Sequence, residues 1–131
     1  MEFTTDIKVH LVAQGIAAAK IIVSPTYKIP ATGDFISLTE TGGVAPYYTH
    51  NEAPAPALAQ PSMQLRARSS THAGAMALAR AAYNALNVND VTINGTKYLW
   101  IRPAQEPHPL PPDENDRAQV VFNINSLRKP F

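Results

Sequence analysis

The sequence predicts an α+β domain, in which two helices pack on one face of a mostly antiparallel, mixed sheet of about six short strands. Three observations predict this class. Residues 63–68 alternate apolar and polar side chains, as half-buried strands do. An alanine-rich helical pattern follows them. Asn94-Gly95 then separates two β-rich runs, which indicates a hairpin because a type I′ turn needs positive φ at both central residues.

The composition indicates one domain with few charges. The chain has 131 residues, 45% of them hydrophobic and 16% charged, with a formal net charge of +1. This length can bury a sizeable core. The low charge argues against nucleic acid as the main partner, since phosphate binding needs clustered lysine and arginine, and it favours association with other protein.

The cysteine content, the apolar runs and the first residues indicate the cellular compartment and the kinds of site that we expect. The absence of cysteine excludes disulfides and thiolate metal sites. No apolar run approaches the roughly 20 residues that a transmembrane helix needs. The first residues lack the basic region of a signal peptide. We therefore expect a chain made in the cytoplasm that has no membrane partner.

The first predicted elements are a short helix and two short strands. Thr4 or Thr5 can cap the helix, Ile7, Leu11 and Ala18 share a face, and Gly15 suits the helix end. Strands are then predicted over residues 20–23 and 35–39.

Residues 40–61 are predicted to form a long proline-rich loop. The segment contains Gly42-Gly43, Tyr47-Tyr48 and an alternating Pro-Ala run over residues 53–61. Loops of this length are usually functional or disordered. Two interpretations remain open, namely an extended arm that reaches a neighbouring molecule and a mobile surface loop.

The second helix is predicted over residues 71–86. Ser69, Ser70 or Thr71 can cap it. Met76, Ala79, Tyr83 and Leu86 should form one buried stripe. The rest of that face is mostly alanine, which should let the helix lie close to the sheet.

A second proline-rich loop and one more strand complete the pattern. The loop is predicted over residues 105–116 and the strand over 117–125, with Val120 and Phe122 on the same side of that strand. We expect one domain over residues 1–125 and a C-terminal tail over 126–131.

No motif points to catalysis, a cofactor or a metal. The four histidines lack metal-binding spacing, and His10 is predicted on a helix surface. Residues 113–116 resemble the start of a calcium loop, but Ala118 and Ile124 stand where that loop needs Gly and Glu. Neither a phosphate loop nor a catalytic triad is present. We expect no enzymatic activity, no cofactor and no metal.

The most suggestive charges are Arg66 and Arg68, which project from one face of a strand about 7 Å apart. They form either a solvated sheet face or a patch that pairs with acids of an adjoining subunit. In the second case, exchanging both for Glu should block assembly and leave the monomer folded. The candidate interface residues are Glu40, Tyr47, Tyr48, Arg66, Arg68, Glu106, Asp113, Glu114, Asp116, Arg117 and Phe131.

The order of several weak motifs resembles a family of tailed-phage proteins that are often labelled minor capsid proteins and are similar to tail terminators, or tail completion proteins. The matching residues are Leu38-Thr39-Glu40-Thr41-Gly42-Gly43, Pro46, Thr49-His50, Pro61, Gln64, Arg66, Arg68, the helix through Tyr83 to Leu86, Asn94-Gly95-Thr96, Ile101-Arg102, Gln105, Pro107, Asp113-Glu114-Asn115-Asp116-Arg117 and Val121-Phe122-Asn123. The likeness covers nearly the whole chain. Two segments depart from the pattern, the proline-rich run over 53–61 and the end of the chain over 128–131.

The resemblance implies a virion protein that forms a ring, typically a hexamer, at the junction of head and tail. Such a ring caps the tail tube, joins it to the head-side connector or stopper protein, and lets DNA pass without reading its sequence. Two other functions remain open. One is a different neck component, such as a head-closure or adaptor protein. The other is a small ligand-binding domain, against which stands the lack of a convergent cluster of titratable residues.

Overall fold

The computed structural model describes residues 3–23, 33–42, 44–47, 58–112 and 116–129. These ranges contain two α-helices, one short 3₁₀ turn and nine strands. The elements are α1 (Phe3–Ala13), the 3₁₀ turn (Ala18–Lys20), β1 (Ile21–Val23), β2 (Phe35–Glu40), β3 (Val44–Tyr47), β4 (Leu58–Gln60), β5 (Ser62–Ser69), α2 (His72–Ala85), β6 (Val88–Ile93), β7 (Thr96–Pro103), β8 (His108–Leu110) and β9 (Ala118–Arg128).

The sheet is mixed and is organised around β9, its longest strand. β5 and β4 pair with one edge of β9, whereas β7 and β8 pair with the other. β1 and β2 are parallel, and every other described pair is antiparallel. This arrangement confirms the predicted α+β class, and the described strands outnumber the six predicted from sequence.

The core lies between the helices and one face of the sheet. Every second residue of the central strands points to this side, and residues that pair across neighbouring strands point to the same side. Leu38, Leu65 and Phe122 form one such row across three strands, and all three are at most 1% exposed. The alternation predicted for these strands is confirmed, and the faces that carry the apolar residues all meet the helices.

Helix α2 lies close to the sheet because its buried residues are small. Ala75, Ala79 and Ala82 are fully buried, whereas Met76 and Tyr83 are only partly buried at the sides of the contact. The helix begins as predicted, with the Thr71 hydroxyl accepting a hydrogen bond from Gly74 N at 3.1 Å. Ala79 and Leu86 of the predicted stripe are therefore buried, and Ala75 and Ala82 take the places that were predicted for Met76 and Tyr83.

Ile7 and Leu11 of helix α1 are fully buried in the core, so the shared face predicted for these two residues is confirmed. Ala18 lies beyond the helix end, in the exposed 3₁₀ turn. His10 was predicted on the surface, and that prediction is wrong: the residue is 7% exposed. Its Nε2 donates to the carbonyl oxygen of Ala85 at 2.8 Å. The ring is drawn inward because the last carbonyls of α2 need donors.

The Asn-Gly hairpin is confirmed, since φ is 50° at Asn94 and 83° at Gly95. Farther along β7, the pairing with β9 shifts register between Tyr98 and Trp100. The extra residue reverses the alternation, so Tyr98 and Ile101 are both fully buried although they lie three positions apart.

The first proline-rich loop is shorter than predicted, because β3 and β4 occupy its two ends and pair with each other. Ala59 lies opposite Arg128 as Ser62 lies opposite Asn125, so β4 continues the path of β5 along β9. We call β3 and β4 the arm. Residues 48–57, at its tip, lie outside the described residues.

The C-terminal part of the sheet also departs from the prediction. β8 interrupts the second proline-rich loop and pairs with residues 119–121. β9 continues past Asn125 to Arg128, because β7 supplies partners for residues 124–128. Ser126 is 1% exposed. Residues 126–128 therefore belong to the sheet, and the predicted tail does not begin at Ser126.

Candidate functional site

The face of the sheet that points away from the helices is polar, and we call it the polar face. Alternation and register place on it one residue of each pair along β2, β5, β9 and the second half of β7. These residues are Phe35, Ser37, Thr39, Ser62, Gln64, Arg66, Arg68, Trp100, Arg102, Gln119, Val121, Asn123, Asn125 and Leu127. Amides, hydroxyls and guanidinium groups dominate the surface, and it carries no described acidic residue.

One end of the polar face is a buried cluster of two arginines around an aromatic ring. The guanidinium carbons of Arg68 and Arg117 lie 5.8 and 5.0 Å from the ring centroid of Phe35. Arg68 donates to Ser37 Oγ at 3.3 Å, and Arg117 donates to the carbonyl oxygen of Gly33. Both arginines are at most 5% exposed. Their contacts inside the chain mark them as parts of the fold.

Arg66 lies beside this cluster but is only half-buried. Its guanidinium donates to Gln64 Oε1 at 3.4 Å and to Gln119 Oε1 at 3.5 Å, both long for hydrogen bonds. Gln119 is itself anchored, because its Nε2 donates to Pro111 O at 2.9 Å. No described acidic side chain contacts Arg66, so its positive charge is open to a partner.

The predicted acidic residues do not gather around these arginines. Glu106 pairs with Arg80 of helix α2 at 2.6 Å. Glu40 is exposed at the end of β2, and Asp116 is exposed directly before Arg117, with φ at 56°. The structure thus brings together the three predicted arginines. Glu40 lies at the far end of β2 and Glu106 pairs with Arg80, whereas Asp116 is next to Arg117 in the chain and has no described contact with Arg66.

Of the remaining interface residues predicted from the sequence, the structure describes one. Tyr47 is the last residue of β3, where it pairs with Leu58. Four candidates lie outside the described residues, namely Tyr48, Asp113, Glu114 and Phe131.

A second buried polar cluster, on the helix side of the sheet, was missed by the sequence analysis. The Tyr98 hydroxyl donates to Asp6 Oδ2 at 2.6 Å, and Arg128 donates to the Tyr98 hydroxyl at 3.1 Å. Burial, followed by the hydrogen bond to Asp6, raises the pKa of Tyr98 well above its usual range. Asp6 and Tyr98 are both fully buried, so the cluster fixes α1 to β7 and β9.

Sequence carried no signal for this cluster, because its members are distant along the chain. Asp6 and Tyr98 are 92 positions apart. An acid in the first turn of a helix is commonly explained by the helix dipole, and Asp6 fits that explanation equally well.

The described residues of the polar face are mostly hydrogen-bonding groups. Among the residues that the structure describes, no group of three or more His, Asp or Glu side chains could hold a metal ion. Within the same ranges, neither helix is long and apolar enough to cross a membrane. What the polar face offers is a broad set of hydrogen-bond donors with two cations that contact no described acid, the half-buried Arg66 and the exposed Arg102.

Comparisons with known proteins agree with this picture. A family model described as bacteriophage tail terminator protein matches residues 16–127. A comparison with curated proteins found no match. A solved chain from the virion of a native gene transfer agent particle superposes with a TM-score of 0.67 at 13% identity, over 97% of this chain and 94% of that chain. A second solved chain gives a TM-score of 0.60 at 14% identity, over 98% and 92%. These two likenesses show the shared fold.

Proposed function

The chain belongs to the bacteriophage tail terminator family of structural virion proteins, and we propose that it forms a ring, a hexamer, that caps the finished tail tube. In this proposal the ring also joins the tube to the head-side connector or stopper protein. DNA passes through it without being read in sequence, and the chain catalyses no reaction. The observation that carries the proposal is the family match, which spans residues 16–127 and so includes every described strand except the last residue of β9.

The polar face supports a ring built through contacts between two different patches of each subunit. A closed ring needs such heterologous contacts, because each subunit uses one patch toward its left neighbour and another toward its right. Arg66 is half-buried and has only amide partners in the described structure. An acidic side chain of a neighbour would compensate this charge and would fix the register of the contact.

The acids that we assign to this contact lie before β9. Asp116 is exposed, and its position beside the buried Arg117 anchors it to the sheet. Asp113 and Glu114 precede it in the sequence and add to the negative charge of the same segment. Glu40 is a further exposed acid, whereas Glu106 already has Arg80 as its partner.

Light scattering and negative-stain imaging of the purified chain, with and without tail tubes of the same virus, test the proposal. The wild-type chain should form rings, alone or at tube ends. Arg66→Glu should lose ring formation and capping, because it places like charges in the contact. Lys8→Glu is the matched control, since Lys8 lies on α1, on the helix side of the sheet.

Two outcomes would contradict different parts of the proposal. Absence of any ring in the wild-type chain, even with tubes present, would overturn the ring function. Rings of Arg66→Glu that match the wild type in number and in tube capping would leave the ring function standing and would remove Arg66 from the contact.

A further inference from the structure

The helix layer carries an open groove with a volume of about 430 Å³ between α2 and the segment that joins α1 to β2. Small residues line most of it, including Ala77 and Ala81 of α2 and Ala17 before the 3₁₀ turn. Lys20 and Asp34 are the charged residues of the lining. Helix α1, in the same layer, exposes Val9 at 44% and Val12 at 42%. The lining is therefore mostly small and apolar, with one charged residue of each sign.

We propose that this groove receives the proline–alanine segment of the arm, residues 53–57, from a second copy of the chain. The inference rests on the proposed ring and names the contact that links one subunit to the next. Residues 53–57 read Ala-Pro-Ala-Pro-Ala, without charge and with side chains of the size that the groove accepts. Proline restricts the free chain, so a proline-rich segment loses little conformational entropy when it binds.

The groove and the arm lie at opposite ends of the sheet. Asp34 lines the groove directly before β2, and Phe35 is level with Arg68 and Gln119 near the start of β9. The arm pairs with the other end, where Ala59 lies opposite Arg128. β9 spans 11 residues, which corresponds to about 37 Å at the rise of an extended strand.

A subunit cannot fill its own groove with this segment. Tyr47 and Leu58 are paired, so the ten residues between them begin and end at one place, and none of them can lie more than about five residue lengths from it. Five extended residues span at most about 18 Å. That reach is about half the length of β9, so the occupant must come from another molecule. A groove at one end and an arm at the other give a head-to-tail contact, which closes into a ring when the rotation allows.

Cysteine cross-linking tests this contact directly, because the chain has no cysteine of its own. Ala55→Cys and Ala81→Cys are made as separate variants, mixed, and oxidised with tail tubes of the same virus present. A disulfide forms only when the two Cα atoms approach within about 7 Å. We expect a covalent dimer from this mixture. Ala55→Cys mixed with Thr92→Cys is the control, since Thr92 is exposed on the distant β6.

A charge placed in the groove gives an independent readout. Ala77→Glu should weaken assembly at least about tenfold, because the acid would be buried against an apolar segment. Ala73→Glu is the matched control, since Ala73 is equally exposed on α2 but does not line the groove. Glutamate is a good helix former, so both variants should fold.

The outcomes separate this inference from the ring function. The groove contact is supported when the mixture of Ala55→Cys and Ala81→Cys gives a covalent dimer and the control mixture gives none. The groove contact is overturned when rings assemble normally, the mixture of Ala55→Cys and Ala81→Cys gives no covalent dimer, and Ala77→Glu assembles as well as Ala73→Glu. The ring function then remains intact. Absence of rings in the unmodified chain overturns both.

Discussion

The two faces of the sheet are made of alternate residues of the same strands, and they treat polar groups differently. On the helix side, Asp6, Tyr98 and Arg128 form a buried cluster in which an acid and a base meet inside one chain. On the polar face, Arg66 has only the amide oxygens of Gln64 and Gln119 within reach. The buried cluster pairs its acid with its base within the monomer, whereas the polar face carries a charge that a neighbour can compensate.

The comparison teaches that neighbouring positions of one strand can have unrelated roles. Arg66 and Arg68 share a face of β5, as predicted, but Arg68 is 5% exposed and Arg66 is half-buried. The burial of Arg68 argues against the expectation that both can be exchanged for Glu without harm to the monomer, because a buried carboxylate in its place would face Ser37 and the Phe35 ring.

The largest effect should come from breaking the buried part of the polar face. Arg68→Glu should lower the free energy of unfolding by about 3 kcal/mol or more, since it buries an unpaired charge. Arg66→Glu should change it by less than about 1 kcal/mol, since Arg66 is half-exposed and makes long hydrogen bonds. Urea unfolding followed by circular dichroism measures both. Equal losses in the two variants would refute the distinction between them.

A smaller effect is expected on the helix side. Tyr98→Phe removes the hydroxyl that donates to Asp6 Oδ2, and the fully buried carboxylate loses a donor. The free energy of unfolding should fall by about 1–3 kcal/mol. Tyr83→Phe is the control, because Tyr83 is half-buried and contacts Phe122 through its ring, at 5.8 Å between centroids. If the control loses as much stability as Tyr98→Phe, the cluster does not stabilise the fold.

The smallest and most specific effect concerns alkaline pH. Burial raises the pKa of Tyr98 above its unfolded value of about 10. Ionisation then favours the unfolded chain, so this contribution is fully present below about pH 10 and is lost as the pH rises further. Urea midpoints measured from pH 8 to pH 11 should fall more steeply for the wild type than for Tyr98→Phe. Parallel curves would show that Tyr98 ionises equally in both states.

Much of the fold could be predicted from local patterns, and the candidate site only in part. The Thr71 cap and the Asn94-Gly95 turn follow from the chemistry of one or two residues, and both are present in the structure. Arg66 and Arg68 were found through strand alternation, which depends only on neighbours in the chain. Their different burial depends on Ser37, Phe35 and Arg117, which come from β2 and the start of β9.

The sequence by itself determined the α+β class, the two helices, the hairpin and the strands at the centre of the sheet, because hydrophobic periodicity and turn chemistry act over a few residues. Only the tertiary structure decided where the polar groups go. Asp6 meets Tyr98 across 92 positions, and His10 reaches the end of α2 across 75. The arm and β8 likewise became strands because β9 offered both of its edges and β3 and β4 pair with each other, which no local pattern encodes.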